Sequence, residues 1–489
     1  MTDVKYRNEL LTEFSSRCLL CLDAPCSKVC DSGDPAGMIR AVRFDDPGRA
    51  YLLSGKCQDC DAPCEKACVS LSPVKIKEIA SLLVEAPKPC ADLSVDFCGV
   101  KCLNPFFLSS SVVASGYDMC ERALSAGWAG IVYKTIGNFI PEEVSPRFDT
   151  IGKESTPFIG FGNLEQISDK SPDENFSILS ALKRKFPDRV IVASIMGRDE
   201  DEWTYLARRS EECGADIIEC NFSCPHMSAH GLGADVGTNP ELVSAYTRAV
   251  RRGASIPVLA KMTPNLQHIE LPAIAAIRAG ADGLAAINTI RSIRGWDSSS
   301  GEPILSVGHR SAVSGYSGKA VKPIALRFIH DMAVCPELHG VPISGMGGIE
   351  TWRDAVDFIA MGCLNLQVTT AVMEYGYRII DDLLFGLSAY LSSVNKSVNE
   401  LCGAALPEYV ETDELDRTTV EYPIFDKTKC VGCGRCVISC DDGGHQAIFF
   451  DDNSRKPRLN INKCVGCQLC RLVCPVGAIG RSKRVPKRA

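Results

Sequence analysis

The chain has 489 residues, 45% hydrophobic and 23% charged, with a net charge of −7. That length suits two to four domains, one of them large. The acidic balance excludes a nucleic-acid-gripping surface, and the one basic stretch, Arg481 to Arg488, reads as a solvated terminus. No apolar run approaches the ~18 residues a membrane span needs, and the first nine residues carry no apolar signal region. Twenty-six cysteines without a secretory signal point to cluster or metal ligation in a reduced cytoplasm, not to disulfides.

The first cysteine block reads Cys18-x2-Cys21-x4-Cys26-x3-Cys30, then Cys57-x2-Cys60-x3-Cys64-x3-Cys68. The octet Asp23 to Cys30 recurs as Asp61 to Cys68, a small internal repeat. Beyond a helix-like entry at residues 8–14, little here could build an independent core, so clusters would act as its staples. A small helical iron–sulfur domain is expected over 1–85, ending at the linker Ala86-Pro87-Lys88-Pro89.

Over 92–395 strands and helices alternate. Strands are expected near 104–110, 130–135, 189–196, 215–221, 256–262, 282–288, 341–346 and 363–369. Helical patterns are clearest at 119–126, 202–213, 241–251 and 351–361. Eight such units predict an α/β fold of the (β/α)8 TIM barrel type. A doubly wound sheet would carry fewer strands and a nucleotide fingerprint after the first. Over 420–489, Cys430-x2-Cys433-x2-Cys436-x3-Cys440 and Cys464-x2-Cys467-x2-Cys470-x3-Cys474 are two bacterial ferredoxin runs, predicting two [4Fe–4S] clusters. In that pattern Cys440 completes the second cube and Cys474 the first.

Chemistry in a barrel sits at the C-terminal ends of its strands. Those ends carry Ser109 and Ser110, Lys134 and Thr135, Asn221 to Cys224, Lys261, Asn288 and Thr289, Gly347 and Gly348, and Thr369 and Thr370. The last two pairs fit a barrel phosphate site, where backbone N–H groups and a helix dipole face an anion. Two inward lysines are expensive to bury unless they face an anion or an electron-rich ring. Flavin mononucleotide (FMN) meets these demands together. Cys224, delivered by the apolar strand Ala215 to Ile218 into a glycine-bearing loop, is the thiol at the mouth; Cys220 reads as a core cysteine.

The N-terminal runs resemble the cluster domain of glutamate synthase small subunits and of dihydropyrimidine dehydrogenase. That resemblance implies one cluster on Cys18, Cys21, Cys26 and Cys68, and another on Cys30, Cys60 and Cys64, with Cys57 in place of the family's glutamine. Residues 92–480 resemble the FMN subunit family of bacterial NAD-dependent dihydropyrimidine dehydrogenases. The match is carried by Cys98 to Lys101, Val144 to Asp149, Ile159 to Glu165, Asn221 to Pro225, Ala260 to Asn265 and Ser314 to Gly318.

This resemblance implies a substrate face of Asn163, Glu165, Ile167, Asn221, Ser223, Asn288 and Thr289, and adds Ser317 and Gly318 to the FMN site. Amides and hydroxyls suit the alternating donors and acceptors of uracil and thymine, or of their dihydro forms. It further implies hydride transfer from flavin N5 to pyrimidine C6, with Cys224 giving a proton to C5. A thiol, ordinarily near pKa 8.5, is mostly protonated at neutral pH and suits that role. The loop His226 to Gly233 departs from the eukaryotic pattern, which points to a different lid and 5-substituent preference.

Dihydroorotate dehydrogenase shares the FMN barrel, but Glu165 should repel its carboxylate product. A tRNA-dihydrouridine synthase fits the charge poorly. A pure electron-transfer subunit would need no proton donor. No G-x-G-x-x-G stands between a strand and a helix, so a separate FAD/NAD(P)-binding subunit or a ferredoxin is expected to feed the clusters in a hetero-oligomer.

Overall fold

The computed structural model describes residues 10–57, 60–86, 88–152, 157–222 and 234–487. Eight parallel strands close a barrel: β1 (Phe106–Leu108), β2 (Gly130–Val132), β3 (Val190–Ile195), β4 (Ile217–Asn221), β5 (Val258–Lys261), β6 (Gly283–Ala286), β7 (Ile343–Met346) and β8 (Cys363–Val368). Each pairs with its successor in sequence, and β8 closes on β1. All eight lie where the apolar runs place them. Those runs form strands because both faces are covered, the lumen on one side and helices on the other; all six residues of β3 are buried.

The outer helices are amphipathic and cleanly started. Asp199 caps Glu200–Glu212 by accepting from the Glu202 N–H, and Asn239 caps Pro240–Gly253 through the Glu241 and Leu242 N–H groups. No helix among the described residues is long and apolar enough to cross a membrane.

Excursions after β2 and β6 build an antiparallel sheet that the sequence pattern did not reveal. Its strands, in spatial order, are Ile290–Ser292, Ser314–Ser317, Gly160–Asn163 and Phe148–Ile151. Gly160-Phe161-Gly162-Asn163 has no β-branched residue, so propensity gave no signal. Pairing alone makes it a strand: Gly315 lies opposite Asn163, and Tyr316 opposite Gly162.

Residues 15–407 form one compact unit; residues 10–14 and 408–487 belong to another. Within the first, the N-terminal cysteine block packs on the barrel's last helices. Four of its helices begin with proline in the first turn, where the missing N–H costs nothing: Pro25–Lys28, Pro35–Arg43, Pro47–Ser54 and Pro63–Lys66. The repeated octet folds the same way twice, with Ala24 (φ 41°) and Ala62 (φ 51°) left-handed before each Pro-Cys turn. Arg40 Nε and Arg49 Nη1 reach the fully buried Asp382 at 2.7 and 2.5 Å, while Arg49 also meets Asp381 at 3.1 Å. The Phe44 ring stands edge-on to Tyr375 at 5.0 Å, and Arg378 donates to the Leu20 carbonyl at 2.8 Å.

Among the described residues, 420–487 of the second unit hold two short α-helices, Arg435–Gly443 and Leu469–Leu472, beside two-stranded ribbons. Its small core is made largely of Cys436, Cys440, Ala447, Ile448, Cys470 and Ile479.

Asp46 caps Pro47–Ser54 from a buried position beside Asp382, and one of its oxygens has no hydrogen-bond partner among the described residues. Burial chiefly lifts its carboxyl to about 7, against the Arg49 N–H that lowers it and with Asp382 adding repulsion. The folded chain therefore holds this proton more tightly than the unfolded one. Its contribution to stability is present below about pH 4 and is lost as pH rises through about 7. Asp46→Asn keeps the cap without the charge. Between pH 5.5 and 8.5 the wild-type melting temperature should fall further than the variant's.

Candidate active site

The C-terminal ends of the barrel strands converge on a cavity of about 1280 Å3, counting the part open to solvent. Ser109, Ser110, Lys134, Thr135 and Lys261 line it, as do Ser317, Gly318, Gly347, Gly348, Thr369 and Thr370. Asn163, Glu165, Ile167, Asn221, Asn288 and Thr289 line the same space. Ser223, Cys224 and the loop His226 to Gly233 lie outside the described residues.

At one end three backbone segments meet. Gly318 (φ 92°), Gly347 (φ 121°) and Gly348 (φ 83°) are all left-handed. A Cβ on Gly348 would stand 2.9 Å from Lys322 Cβ and 3.0 Å from the Gly318 carbonyl, so no side chain fits there. Hydroxyls join the same segments: Ser317 to Thr370 at 3.1 Å and Ser111 to Thr369 at 3.2 Å. Bare backbone ringed by hydroxyls fits a phosphate, and FMN carries one.

Both predicted lysines are buried, and each already has a carboxylate. Lys261 Nζ donates to Glu219 Oε1 at 3.1 Å; Lys134 pairs with Glu165 and lies 3.7 Å from Glu143. Sequence reasoning missed Glu219 and Gln367 as parts of the site. A signal existed: a glutamate inside the apolar run Ile217-Ile218-Glu219-Cys220 is costly unless paired, and it shares a face with Asn221. Cys220 is a wholly buried core cysteine whose thiol burial pushes far up.

Amides and hydroxyls form a continuous chain across the mouth. Asn288 Nδ2 donates to Asn221 Oδ1 (3.3 Å), Asn221 Nδ2 to Thr135 Oγ1 (2.9 Å), and Thr135 pairs with Ser194 (2.9 Å) and Ser110 (3.1 Å). Asn265 Nδ2 holds the Thr289 carbonyl at 3.2 Å. Gly315, on the accessory sheet, separates Thr289 from Asn163; a Cβ there would lie 2.6 Å from Thr289 Oγ1 and 3.1 Å from Asn163 Nδ2. The accessory sheet thus brings Asn163 to the barrel-borne residues.

One electrostatic expectation needs correction. Glu165 pairs with Lys134 and lies 3.4 Å from Arg147 Nε, and Arg147 also reaches Glu143 at 3.5 Å. Two carboxylates and two cations balance, so Glu165 is no bare negative charge set to repel a carboxylate ligand.

Cysteines gather in fours. Cys430, Cys433, Cys436 and Cys474 line one cavity, and Cys440, Cys464, Cys467 and Cys470 another. Each exchanged thiol accepts a backbone N–H: Cys440 from Ala447 at 3.3 Å, Cys474 from Ala478 at 3.2 Å. In the N-terminal block Cys18, Cys21, Cys26 and Cys68 line a third cavity. Cys57 and Cys64 are lifted mainly by burial and then by crowding with Cys30 and Cys60, Cys64 to about 11.

The dihydroorotate dehydrogenase family profile matches residues 92–391, the whole barrel and its excursions. The chain belongs to the dihydroorotate dehydrogenase family. A 4Fe–4S dicluster domain matches residues 424–480. Within the family the chain is 56% identical to the NAD-dependent dihydropyrimidine dehydrogenase subunit PreA of Escherichia coli, over 391 residues spanning 79% of this chain and 95% of that subunit. It is 35% identical to the chloroplastic dihydropyrimidine dehydrogenase (NADP(+)) of Arabidopsis thaliana, over 66% of this chain and 79% of that one. It is 37% identical to the dihydroorotate dehydrogenase B (NAD(+)) catalytic subunit of Pyrococcus abyssi, over 64% and 99%. This dihydroorotate dehydrogenase family member is an oxidoreductase of the flavin-dependent TIM-barrel type, with FMN and [4Fe–4S] clusters as its cofactors.

A side chain at the glycine cradle should expel the cofactor. Gly348→Val is expected to weaken FMN binding tenfold or more (about 1.4 kcal/mol) without unfolding the barrel. Flavin retained through gel filtration, beside an unchanged circular dichroism spectrum, is the measurement.

Proposed function

We propose that the chain is the catalytic subunit of a dihydropyrimidine dehydrogenase, reversibly reducing the 5,6 double bond of uracil or thymine. The observation that carries this reading is the amide and hydroxyl chain from Asn288 through Asn221 to Thr135, with Asn163 and Thr289 beside it, in the cavity that holds the glycine cradle. Bound FMN supplies the hydride. Asn163, Asn221, Asn288 and Thr289 bring amides and a hydroxyl, groups that both donate and accept, to the cavity, which suits the alternating edge of a pyrimidine and would fix the ring's orientation. Ile167 gives the pocket an apolar wall. Ser223 and Cys224 stand two and three residues after Asn221 in the sequence. Cys224 would protonate C5 as general acid, and Ser223 would contact the ring.

The 56% identity to an NAD-dependent dihydropyrimidine dehydrogenase subunit supports this substrate class. A dihydroorotate reading is favoured by one observation, the balanced charge around Glu165. Purified holoprotein with a chemical electron donor, held anaerobic, should reduce uracil and thymine and leave orotate. Orotate reduction without uracil reduction would replace the first reading by the second. Cys224→Ala should lose about 10²–10⁴ in kcat with FMN content unchanged; full turnover would remove Cys224 from the proposal.

Four clusters complete the electron path in this reading. Two sit in the module of residues 420–489, and two in the module of residues 1–85, on Cys18, Cys21, Cys26 and Cys68 and on Cys30, Cys57, Cys60 and Cys64; the barrel module is 92–395. Iron analysis should give about sixteen atoms per chain, and Cys26→Ser should lose about four of them. Clusters carry single electrons, so a partner that takes hydride from NAD(P)H is required, an FAD-bearing subunit or a ferredoxin with its own reductase. NADH-dependent uracil reduction by the chain alone would rule the partner out.

A further inference from the structure

Glu219 stands behind the cavity wall, yet both side chains that its carboxylate holds line the cavity. It is wholly buried on β4, two residues before Asn221 and on the same face. Oε1 accepts from Lys261 Nζ at 3.1 Å, and Oε2 accepts from Gln367 Nε2 at 2.8 Å. Gln367 Nε2 also donates to Ser344 Oγ at 3.0 Å, and that hydroxyl donates to Asn365 Oδ1 at 2.6 Å. Asn365 in turn donates to the Pro105 carbonyl at 3.1 Å. A ladder of polar contacts thus anchors the carboxylate from β4 across to β8.

A carboxylate can only accept, so the Gln367 amide must turn its NH2 toward Glu219. That fixes the opposite end: Gln367 Oε1 is buried and has no hydrogen-bond partner among the described residues. An unmet acceptor costs free energy unless a ligand supplies the donor. One carboxylate therefore presents two groups to the cofactor space, an ammonium and an amide carbonyl. A heteroaromatic ring edge with an acceptor near an N–H answers both.

We propose that Glu219 is a positioning residue that sets the charge balance and aim of Lys261, together with the orientation of Gln367, and thereby the potential at which the bound flavin is reduced. This rests on the reading of the cavity as a flavin site. Reduction adds negative charge to the flavin ring. The Lys261 ammonium favours that charge, and the Glu219 carboxylate behind it opposes it. The pair acts as a dipole with its positive end toward the cavity, and because both groups are buried its field is screened less than it would be in water.

The test is the midpoint potential of FMN in substrate-free holoprotein, by anaerobic spectroelectrochemical titration. Glu219→Gln removes the opposing charge and keeps the shape, so the potential should rise. We expect at least a tenfold gain in binding of reduced over oxidised FMN, about 30 mV for a two-electron couple. The double variant Glu219→Gln/Lys261→Met removes both charges and tolerates folding if the single variant does not. Its potential should fall below wild type, opposite in sign. A Glu219→Gln potential equal to or below wild type, or a double variant that does not fall, would overturn the proposal. A merely structural role would lower melting temperature or FMN content and leave the potential in place. Extracted FMN counts flavin separately, so wild-type protein without flavin would sink the cofactor reading, whereas failure on uracil would leave this measurement intact.

Discussion

Lys261 carries its ammonium into the barrel, only 3% exposed, and Glu219 meets it from the adjacent strand. Moving one such charge out of water costs several kcal/mol, and only a well-placed partner recovers it. The lumen of a TIM barrel is usually filled with branched aliphatic side chains. Here it also holds Glu219, Lys261, Gln367, Ser344, Asn365 and Ser194, all buried. The polar set holds because its members satisfy one another, Gln367 Oε1 being the atom of this set without a partner among the described residues.

The same rule governs the second lysine and the N-terminal block. Lys134 and Arg147 balance Glu143 and Glu165 at the mouth, so that wall is polar without being strongly charged. Arg40 and Arg49 converge on Asp382, which is fully buried although burial raises its carboxyl. Two guanidiniums on one carboxylate leave room for a second, and Asp381 takes it. Charge pairing thus holds the site together and fastens the cysteine block to the barrel.

The barrel was legible because its strands are apolar on both faces and its helices carry caps such as Asp199 and Asn239. Residues at strand ends were legible because topology alone sends them to one mouth, and all those described, apart from the core residue Phe222, line one cavity. What escaped had a weak local signature or none. Gly160–Asn163 becomes a strand only through neighbours distant in sequence, yet it delivers Asn163. Glu219 and Gln367 were hidden inside runs read for their apolar character. The exchange of Cys440 and Cys474 followed from ferredoxin spacing, whereas in the N-terminal block the resemblance alone suggested that Cys68 joins Cys18, and the shared cavity now places them together.

Exchanged cysteines bear on how the protein is made. Cys430, Cys433 and Cys436 emerge together during synthesis, but the thiol that completes their cavity, Cys474, lies beyond a hairpin and a further run. In the N-terminal block Cys68 stands in the same relation to Cys18, Cys21 and Cys26. A chain stopped between runs offers three of the four thiols that line each cavity. The full set meets only once the chain has folded back, so each cavity ties together two segments distant in sequence.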